Sequence, residues 1–299
     1  MSDLFGFIEA GGTKFILGVG HAPDTILRTA RVPTTTPAET IGAALAFFAQ
    51  AEAELGSYAG FGIASFGPVD VDPASPTWGH ITQTPKPGWS GADMVGPFTR
   101  RFGCSAGFDT DVNGALLAEW HQGAAMGADI ATYVTVGTGI GGGAIVQGEL
   151  LHGLRHPEMG HARPERHPDD REFAGTCRFH GGCLEGLASG PAVKARWGAS
   201  LSELPADHPG HRIIGHYLGQ LVVWQQALLS PRRIVFGGGV MDTPGLIDHV
   251  REAASDLAQG YFGVDRAGYD ALVVPTALGG NAGLLGALAL ASRCGSTGV

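Results

Sequence analysis

The chain has 299 residues, 44% hydrophobic and 16% charged, with a formal net charge of −9. That length buries a large core and suggests two domains, and the composition excludes a disordered chain. The negative balance excludes a broad nucleic-acid surface, which rests on dense Lys and Arg. No stretch is long and apolar enough to span a bilayer, and no basic and apolar leader precedes Leu4, so a cytoplasmic protein without membrane contact is expected.

Short apolar runs alternate with longer amphipathic ones, the pattern of an α/β protein. Leu4–Ile8 and Phe15–Val19 read as strands around a Gly-rich turn. Thr36 caps a predicted helix that ends near Leu55, before Gly56. Phe61–Ala64 reads as a buried strand and Ser65–Asp70 as a loop. Ser105–Phe108 reads as a strand that leads into Asp109–Asn113, with a helix over Gly114–Gln122. Ile130–Val136 is a strand of β-branched and aromatic residues. Later helices are expected at Gly215–Leu229, Ile247–Leu257 and Ala282–Ala291, and buried strands at Ile234–Phe236 and Leu272–Val274.

Two segments resemble each other. FIEAGGTKFILGVG and YVTVGTGIGGGAIVQG share an apolar strand, a Thr/Gly-rich turn and a second apolar strand. Either they descend from a duplication that gave two related domains, or two Gly-rich hairpins coincide. Both look like anion cradles, because glycine lets backbone N–H groups turn toward a ligand. Thr13 and Thr138 add hydroxyls, and Lys14 a charge. Neither is a Walker loop or a dinucleotide fingerprint, since each turn leads into a strand. Read singly, each is equally a plain hairpin turn. Five glycines between Gly137 and Gly143 weaken a hairpin by about 0.5–1 kcal/mol each, which favours a functional reason for them.

Leu151–Leu184 has little hydrophobic periodicity and is dense in His, Pro and Gly. A loop that long persists in a compact domain when it is functional or pinned. Cys177, His180 and Cys183, at spacings of three, suit a tetrahedral zinc ion that would pin it and need one further ligand. A redox or stray cysteine pair is the alternative. Cys104 and Cys294 are isolated, so no disulfide framework is visible. Gly153 and Pro157 argue against a helix that would pair His152 with His156 on a metal.

Asp111 lies at a strand-to-helix junction. It is either a helix N-cap, with Asp109 and Thr110 as competitors, or a carboxylate at the ligand-binding end of a sheet, placed to take a proton from an attacking hydroxyl. HPEMGH sets Glu158 and His161 three apart beside the cysteine loop, and Glu185 follows Cys183 by two. Glutamates so placed suit fixed hydrogen bonds to a polyhydroxylated ligand, although each alone is more often a solvated surface charge. IVFGGGVM and ALGGNAGLLGA suit close backbone approach to a nucleotide or tight helix–strand packing.

IEAGGTKF, TPKPGW, TDVNGALLAEW, TVGTGIGGG, HPEMGH, CLEGLASGPA and IVFGGGVM together resemble the ROK (repressor, open reading frame, kinase) sugar kinases. Within them the chain is most similar to the zinc-containing bacterial fructokinases. The motifs run in family order from about Ile8 to Asn281. The resemblance implies an actin-like, ribonuclease-H-like fold, with two α/β domains flanking an ATP–sugar cleft. Residues 1–112 would form the smaller domain, with the helix over about 282–299 packing back on it. Residues 113–281 would form the larger, carrying the zinc loop 151–185.

The resemblance also implies roles. Asp111 would be the catalytic base for the sugar's 6-hydroxyl. Gly11, Gly12, Thr13, Lys14, Thr138 and Gly139 would hold the ATP phosphates. Pro191, Gly237, Gly238, Gly239, Val240 and Met241 would lie on the adenine side. Asn113, Glu158, His161 and Glu185 would hold the sugar. His161, Cys177, His180 and Cys183 would bind a structural zinc, and ATP would come with Mg²⁺. A homodimer is implied as well. Two departures point toward fructose over glucose: Glu9 stands where the first phosphate motif commonly has Asp, and the metal loop is Cys-x2-His-x2-Cys rather than the three-cysteine form. Mannose, glucose or an acylated hexosamine are alternative substrates. A sugar-sensing ROK regulator is the alternative from another class, disfavoured because the first phosphate motif begins by residue 9 and leaves no room for a DNA-binding domain. A zinc-organised scaffold without catalysis is a third.

Overall fold

A computed structural model describes residues 3–295. In chain order the elements are β1 (Phe5–Ala10), β2 (Lys14–Gly20), β3 (Ile26–Pro33), α1 (Pro37–Leu55), β4 (Gly60–Ser65), α2 (Gly96–Phe102), β5 (Ser105–Thr110) and α3 (Asp111–Gln122). There follow β6 (Ile130–Val136), β7 (Ile140–Val146), β8 (Glu149–Leu150), α4 (Leu184–Ala188), α5 (Gly190–Trp197) and α6 (Gly210–Leu229). The chain continues through β9 (Arg233–Gly237), α7 (Leu246–Ala258), α8 (Gly268–Leu272), β10 (Val273–Pro275) and α9 (Ala282–Gly295).

The chain divides into two compact units. The first runs to Ala118 and includes His152–His156 and the chain from Asn281 onward; the second holds Glu119–Leu151 and Pro157–Gly280. The division falls inside α3, after Ala118 rather than after residue 112, and five residues of the expected metal loop, His152–His156, belong to the first unit. Residues 296–299 of the expected C-terminal helix lie outside the described residues.

The first unit is built on a sheet of order β3-β2-β1-β4-β5, in which β1, β2 and β3 are antiparallel neighbours and β4 and β5 run parallel to β1. The second unit's sheet has order β8-β7-β6-β9-β10, with the same senses in the same places. The likeness of the two glycine hairpins therefore extends to the entire sheet.

α1 starts as its sequence requires. The Thr36 side chain accepts the Glu39 N–H, Glu39 reaches back to the Thr36 N–H, and Pro37 occupies the first turn. Phe48 of α1 packs edge-on against Phe61 of β4 and Phe98 of α2, with ring centroids 4.9 and 6.0 Å away. β3 and α2 have no counterpart in the sequence reading. β3 is an edge strand with every second residue exposed, which leaves only a weak apolar signal.

α9 lies across β4 and β5 at backbone distance. A Cβ on Gly62 would stand 1.8 Å from the Ala287 carbonyl oxygen, and one on Gly107 2.4 Å from that of Leu290. α9 also meets α3 backbone to backbone, since a Cβ on Gly286 would lie 2.0 Å from the Gly114 oxygen. The contact fixes the helix that begins at Asp111. Glu119, fully buried further along α3, takes the N–H groups of Ala124 (2.6 Å), Ala277 (3.2 Å) and Leu278 (2.9 Å) and the Thr276 hydroxyl. It thereby ties α3 to the segment that leads into α9.

Gly286→Ala is expected to lower stability by about 2–3 kcal/mol, because backbone rather than a side chain would have to move. Gly42→Ala, on an exposed position of α1 with open space around it, should raise stability by about 0.5–1 kcal/mol. Urea unfolding of the two variants checks the contrast.

Candidate active site

The first unit gathers Gly11–Lys14, Asp111 and Asn113. Gly11, Gly12 and Thr13 form the turn of the β1–β2 hairpin, closed by the Gly11 N–H on the Lys14 carbonyl at 3.0 Å. The Thr34 hydroxyl donates to the Gly11 oxygen at 2.7 Å and holds the turn from behind. Gly12, Thr13 and Lys14 are exposed.

β5 extends to Thr110 and α3 begins at Asp111, so strand passes directly into helix within Asp109–Asn113. The cause is a cap. The Thr110 hydroxyl accepts the Asn113 N–H at 3.0 Å, which makes Thr110 the capping residue among the three candidates. Asp109 turns inward and accepts the Thr110 N–H and the Asn113 side-chain amide, both at 2.7 Å. Asp111 is thereby released from capping. Its Oδ1 accepts the Val112 N–H at 2.9 Å. The start of a helix favours a negative charge there, yet desolvation is the larger effect and pushes the Asp111 carboxyl up to about 6.

Glu9, at the end of β1, is pushed up to about 7, first by burial and then by the nearby Asp111, while Lys14 and Arg31 pull it down. Among the described residues nothing hydrogen-bonds its buried Oε2. The side chain lies against the first turn of α9, where a Cβ on Gly283 would sit 2.5 Å from its carboxyl carbon. A buried carboxylate with an unfilled acceptor, beside a second carboxylate, has the chemistry of a divalent-cation contact.

The second unit gathers the other residues. Gly137, Thr138 and Gly139 form the β6–β7 turn, closed by the Gly137 N–H on the Gly139 oxygen at 2.9 Å. The Gly190 N–H reaches the Gly137 oxygen at 2.8 Å, which sets Pro191 and the start of α5 beside the turn. Gly238 has φ +92°, and a Cβ there would lie 2.5 Å from the Val136 oxygen; the Val240 N–H bonds that same oxygen at 3.0 Å. Thr138, Pro191 and Gly237–Met241 therefore surround one end of β6.

Glu185, in the first turn of α4, accepts the Ile140 N–H at 3.0 Å and occupies the space a Cβ on Gly139 would need. Behind it, Met159 fills the space beside Gly142, and Gly160 presses on the Ile140 oxygen. Gly142 of β7 thus admits the Met159 side chain of the Glu158–His161 turn, and Gly139 of the hairpin turn admits Glu185. Glu158 is exposed, and its carbonyl accepts the His161 N–H at 3.0 Å.

His161, Cys177, His180 and Cys183 converge, one ligand atom of each lying within 4.8 Å of all the others. His161 Nδ1 is 3.9 Å from Cys177 Sγ and 3.6 Å from Cys183 Sγ, and His180 Nδ1 is 3.7 Å from Cys177 Sγ. Sulfur and imidazole donors around a tetrahedral ion stand about 3.6 Å apart. Paired backbone bonds between Cys177 and Gly181 fold the loop, and the Leu184 N–H on the Ala162 oxygen joins its end to the His161 turn. A second anchor was not apparent from spacing. Asp170 pairs with Arg196 at 2.8 Å and accepts the Tyr217 hydroxyl at 2.7 Å, all within the second unit.

Sequence reasoning weighed Asp109 only as a competing cap and missed His152 as its partner at the Asp111 junction. His152 Nε2 stands 2.9 Å from Asp109 Oδ2 in the first unit. The run of histidines drew attention to His152, but nothing local links it to a carboxylate so far back in the chain. His156, its neighbour in that run, instead accepts the Val69 N–H at 3.2 Å.

The raised Glu9 carboxyl has a consequence for stability. Its folded value of about 7 exceeds its ordinary value of 4.5, so stability is lost as pH rises between the two. Glu9→Gln is expected to stabilise the protein by on the order of 1–3 kcal/mol at pH 8 and by almost nothing at pH 4.5. Chemical denaturation of both proteins at the two pH values, without nucleotide or magnesium, measures the difference.

Residues 5–294 match the family model described as the ROK family. A fructokinase of Zymomonas mobilis subsp. mobilis is 51% identical over 291 residues, which cover 96% of each chain. Among solved structures, a ROK hexokinase from Thermus thermophilus matches with a TM-score of 0.78 at 27% identity, over 99% of this chain and 100% of that one. A ROK family glucokinase from Streptomyces griseus, in complex with glucose and AMPPNP, matches with a TM-score of 0.72 at 26% identity, over 97% and 99%. With these neighbours the two mixed sheets are those of the actin-like ATPase fold, and the chain belongs to the ROK family.

Proposed function

We infer that the protein is an ATP-dependent hexose kinase acting on fructose, transferring the γ-phosphoryl group to the 6-hydroxyl. The observation that carries this reading is the Asp111 carboxylate, freed from capping at the carboxyl end of β5 and raised to about 6. The full-length relationship to the Zymomonas fructokinase supports fructose as acceptor. A proton acceptor with that affinity is mostly ionised at neutral pH yet basic enough to take a hydroxyl proton as the bond to phosphorus forms.

Phosphoryl transfer asks mainly for positioning and charge stabilisation. The Gly11–Lys14 and Thr138–Gly139 turns would present N–H groups, hydroxyls and the Lys14 ammonium to the phosphates. Pro191 and Gly237–Met241 would flank the adenine. Asn113, Glu158, His161 and Glu185 would bond the sugar hydroxyls, and Asp111 would hold the reacting one and receive its proton. Magnesium bound with ATP supplies positive charge to the triphosphate, and the orphaned oxygen of Glu9 suits contact with it.

Zinc is the metal that two thiolates and two imidazoles favour, and four protein donors leave it no open position for activating water. Its role here is to brace the loop. His161 turns Nδ1 to the sulfurs, so its other ring nitrogen can orient a sugar hydroxyl. We further propose a cytoplasmic homodimer. No described helix is long and apolar enough to cross a membrane, and ATP as substrate suits that compartment.

Coupled ADP-release assays over fructose, mannose, glucose and N-acetylhexosamines test the reading, with fructose expected to give the highest kcat/KM. Asp111→Asn should keep fructose binding and lose about 10²–10⁴ of turnover; turnover near wild type removes Asp111 from the mechanism. In the wild type, kcat/KM for fructose should fall about tenfold per unit below pH 6. Chelation of the metal should weaken fructose binding and loosen the chain around Cys177–Cys183. The Glu165–Asp170 stretch should stay protected in hydrogen exchange, because its ties to Gln220, Tyr217 and Arg196 need no metal.

A further inference from the structure

Two groups at the Asp111 junction remain without a task in the mechanism, His152 and Asp109, and both stand beside Asn113. Asp109 is buried at 2% exposure, whereas a third of the His152 side chain is exposed. Asp109 Oδ1 accepts the Asn113 amide at 2.7 Å and its Oδ2 faces His152 Nε2 at 2.9 Å. An ionised carboxylate only accepts, so both partners must donate. That fixes two orientations at once. The Asn113 amide points its N–H₂ at Asp109, and His152 carries a proton on Nε2. The 3.4 Å approach of Asn113 Nδ2 to His152 Nε2 is then two donors converging on one carboxylate rather than a bond between them.

The orientations leave two polar atoms over. Asn113 Oδ1 is buried, and among the described residues nothing donates to it. His152 Nδ1 lies on the ring edge away from Asp109. The hydrogen bond to Asp109 also raises the His152 affinity for a proton, so Nδ1 can accept from a hydroxyl or donate to one. Buried acceptors left open are rare in folded proteins and mark a place where a ligand completes the set. Asp111 lies between Asp109 and Asn113 in sequence, so the open atoms belong to the junction that carries the proposed base.

We propose that His152, oriented by Asp109, is a substrate-contacting residue of the acceptor site and reads one hydroxyl of the hexose through Nδ1. The proposal deepens the kinase reading and rests on it. It also gives a reason for the path of the chain, which enters the first unit for only His152–His156 before returning to the second. Those five residues deliver one imidazole to Asp109 and set a second, His156, on the Val69 N–H. His156 is buried and serves as the anchor; His152 is the exposed one.

The test compares wild type, His152→Ala and His152→Gln on fructose and on a panel of single-deoxy fructose analogues. The glutamine amide can still donate to Asp109 but offers nothing at the Nδ1 position. Both variants are expected to lose about ten- to a hundredfold in kcat/KM for fructose, with KM for ATP and the melting temperature unchanged. The loss should disappear for the one analogue that lacks the hydroxyl read by Nδ1. A penalty equal across all analogues, full fructose activity in His152→Gln, or a fall in melting temperature with fructose affinity intact would each overturn the assignment and leave His152 an anchor. Wild-type turnover of fructose separates the two levels: its absence sinks the kinase reading, and its presence with an indifferent His152 sinks this one alone.

Discussion

The seating of α9 against β4, β5 and α3 is the constraint on which the first unit depends. Backbone meets backbone there, with glycine at Gly62, Gly107 and Gly286 because a methyl group would occupy space already filled by carbonyl oxygens. Two features of the candidate site follow from it. α3 is held at its first turn, so Asp111 has a fixed origin. Glu9 is covered by the first turn of α9, so its carboxylate is desolvated without receiving a protein hydrogen bond at Oε2. A fold selected for stability alone would fill that acceptor or replace the residue. Keeping it open at a destabilising site is what a ligand-dependent role would require.

The two sheets show how one hairpin design is put to two uses. Each begins with a three-residue turn between antiparallel strands and continues with two parallel strands beyond the first. In the first unit the turn is backed by Thr34 and flanked by Lys14 and Glu9, all side chains of its own sheet or the segment after it. In the second the turn is backed by elements brought from far along the chain: Gly190 of α5, the Gly238–Val240 segment and Glu185 of α4. The β7 glycines therefore answer to packing as much as to any anion. They let the Met159 turn and Glu185 lie against the strand, which connects the turn to the metal-binding loop through α4.

Much of the fold was legible because its signals are local. Apolar runs, the Thr36 cap and the two hairpins each sit within a few residues, and their strands and helices form where expected. Three of the four donors were legible for the same reason, since Cys177, His180 and Cys183 are close in sequence, whereas the fourth, His161, came only from the family resemblance. What escaped notice depends on chain distance or on competition between neighbours. β3 hid behind its alternate exposure. The choice among Asp109, Thr110 and Asp111 as cap could not be made from spacing, because all three side chains suit it; inward burial of Asp109 by Asn113 and His152 settles it for Thr110. Nothing local in the sequence separates Glu119 from any other helix carboxylate, although it organises the segment Thr276–Leu278.

The long His- and Gly-rich segment is held in part by a buried ion pair. Asp170 and Arg196 are almost fully buried, and a buried ion pair gives little net stability because desolvation offsets most of the attraction. Its value lies in direction. The carboxylate also takes the Tyr217 hydroxyl, and the Arg196 guanidinium lies 4.0 Å over the Phe173 ring and bonds the Leu187 oxygen, so one position of the segment satisfies the set. That network fixes where residues 165–173 run but does not reach Cys177 or His180, which are exposed or half-buried and make few other contacts. The proposed metal would supply what the apolar core cannot there, and of its four candidate donors His161 stands on a turn already packed against β7. In that proposal the loop would be registered to the sheet through His161, and Cys177, His180 and Cys183 would take their positions from it.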